Sequence, residues 1–202
     1  MLNVTSQKWL DKTKVKGPDG DIWTHQVVVV IPKHLKYTNV SMAYLTGGCN
    51  HHSNDKINPH SDEDVLVVDE IAHNSHTATI TVKQIPNCPL EYANDPLHKH
   101  RYEDAILAQS WHEFLEDPNA NPEWLPRLPM VKAGYQAMRA AQEFLKQKQV
   151  AEIEGWVVAG ASKRGWTTWD VGAVKCDSCP AKVIALCPLV PIVPDIQKEV
   201  HI

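Results

Sequence analysis

The chain has 202 residues, enough for one sizeable core, and its net charge of -4 leaves no basic footprint for nucleic acid. Hydrophobic residues at 43% and charged residues at 22% are ordinary for a globular domain. The longest apolar run, Val27 to Ile31, has the length of a strand. It falls far short of the roughly 18 residues of a membrane helix, so no membrane span is expected.

In chain order, Met1-Leu2-Asn3 runs straight into polar residues, without a legible signal peptide. Asn3-Val4-Thr5 and Asn39-Val40-Ser41 are glycosylation sequons. Ile22 to Ile31 is valine-rich and closes at Pro32, which predicts a strand. Val40 to Thr46 predicts a second strand, ending at Gly47-Gly48. Ser61 to Asn74 carries Val65, Val68, Ile71 and Ala72 at helical spacing, with Ser61 as the expected N-cap. Thr77 to Ile85 alternates as a strand does and stops at Pro86. Asn87 to Lys99 reads as a loop, Tyr102 to Leu115 as a helix, and Asp117 to Pro129, with its prolines, as a loop. Met130 to Gln149 is the clearest helix, with Val131, Tyr135, Met138, Ala141 and Leu145 on one stripe. A buried strand at Trp156 to Ala159, a helix to about Val174 and a strand at Val183 to Cys187 complete the pattern. Strands alternating with helices predict an α/β domain, a mostly parallel sheet with helices on both faces.

The turn between the strand at 156–159 and the following helix carries Gly160-Ala161-Ser162-Lys163-Arg164-Gly165. A strand, a sharp turn bearing serine and a helix make a nucleophile elbow. Such a turn lifts Oγ above the sheet beside free helix N–H groups that can hold an oxyanion. Ser162 is therefore the expected nucleophile. The backbone N–H of Lys163 would supply one oxyanion donor, and the glycine pair Gly47 and Gly48 another. Arg164 stands where the usual Gly-x-Ser-x-Gly has its second glycine, and Gly165 comes one residue later. The competing reading is a tight turn in which Ser162 only caps its helix. Lys163 and Arg164 fall in the first helical turn, where the macrodipole disfavours cations. Either they are a solvated pair, or one, with Arg164 the expected substrate-binding residue, faces an anionic substrate.

Other clusters carry less. His51-His52, with His60 and Cys49 nearby, lacks convergent metal spacing, and no metal site or cofactor is expected. Cys176 and Cys179 follow a helix, which suits a local disulfide or two free thiols better than catalysis. Glu103 and Asp104 are expected to diverge on their helix, one pairing with Arg101 or a backbone group, and Trp166 and Trp169 to share a core face.

Thr5-Ser6-Gln7-x-Trp9, Leu45-Thr46-Gly47-Gly48-x-Asn50, Ile85-Pro86-Asn87-x-Pro89, Arg101-x-Glu103-Asp104 and Leu128-Pro129-Met130 occur in that order and end in Gly160-Ala161-Ser162-Lys163-Arg164-Gly165-Trp166-Thr167-Thr168-Trp169. This series resembles the PhoPQ-activated pathogenicity-related protein family over nearly the whole chain. The family includes a secreted autocrine proliferation repressor. The resemblance implies an α/β-hydrolase-like fold in a single domain over 1–202, and an exported, extracellular protein. It also implies that the acid and histidine of a triad would lie beyond Ile202, the C-terminal part of the domain being absent from this chain. Where the family has glutamine, this chain has Cys88. In the implied fold Cys88 and Cys49 follow neighbouring strands, so a Cys49–Cys88 disulfide is expected, with Asn3 and Asn39 as glycosylation sites. Two functions follow. One is a serine hydrolase acting on a small-molecule or peptide ester or amide by acyl transfer. The other is a signalling protein of the proliferation-repressor type that binds a cell-surface receptor on an inactive hydrolase scaffold.

Overall fold

A computed structural model describes residues 1–50, 57–174 and 181–190. The strands are β1 (Leu2–Lys8), β2 (Val15–Lys16), β3 (Ile22–Val30), β4 (Tyr37–Leu45), β5 (Thr77–Val82), β6 (Glu91–Tyr92), β7 (Gly155–Ala161) and β8 (Val183–Leu189). The helices are α1 (Glu63–Ser75), α2 (Asp104–Glu116), α3 (Arg127–Gln147) and α4 (Lys163–Ala173), with a 3-10 turn at Pro122–Trp124. Six strands form one sheet in the order β1-β3-β5-β4-β7-β8, and β2 pairs with β6 apart from it. The order places Val40–Thr46 between the strands of Thr77–Ile85 and Trp156–Ala159. β5, β4, β7 and β8 run parallel. β3 pairs antiparallel with both β1 and β5, so the sheet is mixed but mostly parallel, as expected. The short loop 31–36 carries β3 into β4, but β5 inserts between them and pairs antiparallel with β3.

The two faces follow from alternation along paired strands. Leu45 lies against Gly134 of α3. Its neighbour Tyr44 turns the other way, into the field of Asp64 on α1. Thr79 shares that second face and donates from Oγ1 to the Val68 carbonyl of α1 at 3.2 Å. Hence α1 covers one face, and α3 and α4 the other. The α3 stripe buries Met130, Ala133, Ala137, Met138, Ala141 and Leu145 completely. Tyr135 stays half-buried and donates its hydroxyl to the carbonyls of Val171 at 3.0 Å and Val174 at 3.2 Å, which ties α3 to the end of α4.

Two local features depart from the sequence reading. Asp62, not Ser61, caps α1, accepting the Val65 N–H at 3.2 Å. Strand β1 escaped the sequence reading because its buried positions include Ser6 and Gln7. Their polarity is satisfied internally: Gln7 Nε2 donates to the Pro129 carbonyl at 2.9 Å, and Ser6 Oγ meets His25 Nε2 at 2.9 Å. His25 Nδ1 lies 3.1 Å from the Lys83 carbonyl, which can only accept. The ring proton therefore sits on Nδ1, leaving Nε2 to accept from Ser6.

Candidate functional site

Strand β7 ends beside β4, with Gly160 paired to Leu45. The Ser162 turn and the Gly47-Gly48 turn therefore lie at the same C-terminal edge of adjacent parallel strands. Ser162 holds φ 56° and ψ -124°, a backbone that costs a non-glycine residue about 1–3 kcal/mol. Two glycines make room for this turn. A Cβ on Gly160 would lie 2.6 Å from the Arg164 carbonyl, and one on Gly165 would run into the Leu189 carbonyl of β8. Gly165 thus serves the packing of α4 on β8, while Arg164 occupies the usual second-glycine position without a clash.

Ser162 is exposed, and its hydroxyl makes no cap to its own helix. The first helical bond runs from the Trp166 N–H to the Ser162 carbonyl at 3.1 Å. The N–H groups of Lys163, Arg164 and Gly165 lie before it and have no helical acceptor. Across the edge, the Gly47 N–H donates to Thr46 Oγ1 at 2.7 Å. Thr46 in turn bonds Asp64, and Asp64 and Asp62 hold Lys83 Nζ at 2.7 and 2.9 Å. Burial disfavours the Lys83 charge, but the two carboxylates outweigh it and raise its pKa above the ordinary lysine value. Of the glycine pair, only Gly48 has an N–H with no acceptor among the described residues, at φ 93°.

The turn carrying these glycines is laced to the turn after β5. Gln84 N–H donates to the Gly47 carbonyl at 2.7 Å, and Asn50 N–H to the Cys88 carbonyl at 2.7 Å. A disulfide joins Cys49 to Cys88, with Cα atoms 4.7 Å apart. Among the described cysteines Cys187 is free and exposed. Cys176, Cys179, His51 and His52 lie outside the described residues.

The cations beside Ser162 point inward. Lys163 and Arg164 are 5% and 9% exposed. Lys163 Nζ contacts Glu103 at 2.7 Å and Asp104 at 2.9 Å. Arg164 Nη2 contacts Glu103 at 2.6 Å, and Arg164 Nε donates to the Ile85 carbonyl. Partial burial opposes ionisation of Glu103, but the bonds from Arg164 and Lys163 outweigh it and hold its carboxyl below the ordinary value. Arg164, the expected substrate-binding residue, is thus ion-paired with Glu103 in this structure. The expected pairing of Glu103 with Arg101 is corrected: Arg101 pairs with Asp95 at 2.7 Å. Sequence spacing could not bring 103 to 163, because α3 and β7 intervene. Trp169 is 61% exposed rather than core. Trp166 lies under the Arg127 guanidinium, 2.9 Å from ring centroid to Cζ. No described histidine bonds Ser162: His25 is fully buried with Ser6, on another strand pair. Asn3 and Asn39 are both exposed.

Autocrine proliferation repressor protein A of Dictyostelium discoideum is 36% identical to this chain over 190 residues. The match covers 94% of the chain and 35% of the relative, so the chain spans about a third of that protein's length. The sequence profile of the PhoPQ-activated pathogenicity-related proteins matches residues 1–202 without remainder. The Gly-Ala-Ser-Lys-Arg-Gly elbow and the paired turn facing it are thus found in a chain that belongs to the PhoPQ-activated pathogenicity-related protein family.

Proposed function

We propose that this chain carries the nucleophile and oxyanion site of an exported serine hydrolase with an α/β-hydrolase-like fold. The observation that carries the reading is Ser162: a strained, exposed serine between an interior parallel strand and a helix, with its hydroxyl uncommitted to the helix. Ser162 Oγ attacks the acyl carbon of an ester or amide. The Oγ–C bond forms, the leaving alkoxide or amine departs, and the serine proton passes to it through a general base. The carbonyl oxygen becomes an oxyanion held by the N–H groups of Lys163 and Gly48. Because Lys163 and Arg164 are already neutralised by carboxylates, the elbow favours an uncharged acyl group. The base and its acid would come from outside the described residues. Export is supported by the Cys49–Cys88 disulfide, since disulfides persist in oxidising compartments.

A second reading has its own support. The curated relative is named as an autocrine proliferation repressor, and no described histidine or acid bonds Ser162. In that reading the scaffold presents a binding surface to a cell-surface receptor without turnover.

A fluorophosphonate probe separates the two. The hydrolase reading expects stoichiometric phosphonylation of the full-length protein at Ser162, located by peptide mass spectrometry and abolished in Ser162→Ala. A full-length protein that stays unlabelled while folded leaves the signalling reading.

A further inference from the structure

We infer that Glu103 is the positioning residue of the Ser162 elbow, gripping both cations of its first turn and fixing that turn against the Gly47 and Ile85 turns. For its catalytic consequence the inference rests on the hydrolase reading; for its structural consequence it does not.

Glu103 uses both carboxylate oxygens on the elbow. Oε1 takes Arg164 Nη2 at 2.6 Å, and Oε2 takes Lys163 Nζ at 2.7 Å. Arg164 carries the grip onward, donating from Nε to the Ile85 carbonyl. Gly47 fits because it has no side chain: a Cβ there would lie 2.5 Å from Arg164 Nη2 and 3.1 Å from Glu103 Oε1. The turns at 47 and 85 therefore meet on the Arg164 guanidinium, which the Glu103 carboxylate holds in place.

Glu103 also sits in an unusual backbone, φ 49° and ψ -117°, at the N-cap of α2, and its side chain does not cap that helix. Ser162 has nearly the same pair of angles. Glycine would occupy either position at lower cost. A carboxylate held there, unused by its own helix, is explained by what it grips. The side chains of Lys163 and Arg164 are only 6% and 11% exposed. Without Glu103, among the described residues Arg164 would be a buried cation with no ion-paired carboxylate, and Lys163 would keep only Asp104, whose side chain is 74% exposed. Buried charges without partners move toward water. Lys163 supplies an oxyanion N–H, so its displacement would misplace that donor.

The test uses the full-length protein and Glu103→Gln, which keeps the shape and removes the charge. Hydrogen exchange is measured on peptides covering 155–168 and 44–49, with α3 as the internal reference. The expected result is exchange faster by about tenfold in both segments and unchanged in α3. With the fluorophosphonate probe, the maximal phosphonylation rate should fall about tenfold or more while the probe's half-saturation concentration stays within about twofold. Should Glu103→Gln not accumulate folded, Arg164→Lys, which keeps the charge and loses the second contact, carries the same expectations. Unchanged exchange in both segments overturns the inference, as does an unchanged phosphonylation rate in a protein whose wild type is labelled. Altered exchange in a protein whose wild type is not labelled retains Glu103 as the elbow's anchor and removes the hydrolase reading instead.

Discussion

His25 shows how one buried side chain sets a pH limit on the molecule. It is completely buried, and burial pushes its pKa from 6.5 down to about 4. The folded state therefore keeps the ring neutral where the unfolded state takes a proton. Above the unfolded value the ring costs nothing; as pH falls from there toward about 4, stability is lost. The full loss is about 3 kcal/mol. Urea unfolding at pH 7 and pH 4.5 is expected to show most of it, and His25→Gln should flatten the dependence. Gly160 is the other residue whose replacement has a clear outcome. In Gly160→Ala the new methyl meets the Arg164 carbonyl at 2.6 Å and Thr168 Oγ1 at 2.8 Å. The first of these is backbone, so relief requires α4 to move. The expected cost is about 1–3 kcal/mol, or about 2–4 °C of Tm per kcal/mol, readable by thermal unfolding.

The elements respond most to the disulfide. Cys49 and Cys88 close a loop with a sequence separation of 39, which spans α1 and β5. Loop-closure entropy for that length is worth about 4 kcal/mol. Cys49→Ser with Cys88→Ser is expected to lower the urea midpoint by the equivalent of about 2–4 kcal/mol, and a reductant should reproduce the loss in the wild type. Helix α3 was legible in the sequence because it turns one apolar stripe toward the core, which is read directly from spacing. β2 and β6 were not legible, because a two-residue strand leaves no period to read. β1 was hidden by its buried serine and glutamine, whose partners are a histidine and a carbonyl distant in the chain.

For the whole molecule, the proposed export predicts modification as well as a disulfide. Asn3 and Asn39 are exposed sequon asparagines. Expression through a secretory pathway is expected to give two glycosidase-sensitive mass increments, one lost in Asn3→Gln and the other in Asn39→Gln. Protein that passes through that pathway without either increment would remove both sites. No helix among the described residues is long and apolar enough to cross a membrane.

The amino-acid order by itself determined the alternating α/β plan, the strand–turn–helix around Ser162 and the membership of the family. These depend on local periodicity and contiguous motifs, which a single chain displays. The tertiary structure decided the rest. It placed β5 between β3 and β4 and ran β3 antiparallel to both β1 and β5. It also brought Glu103 to Lys163 and Arg164, engaged the Gly47 N–H within its own turn and left the Gly48 N–H without an acceptor among the described residues. Such pairings join segments tens of residues apart, and local spacing carries no record of which distant carboxylate a buried cation will meet.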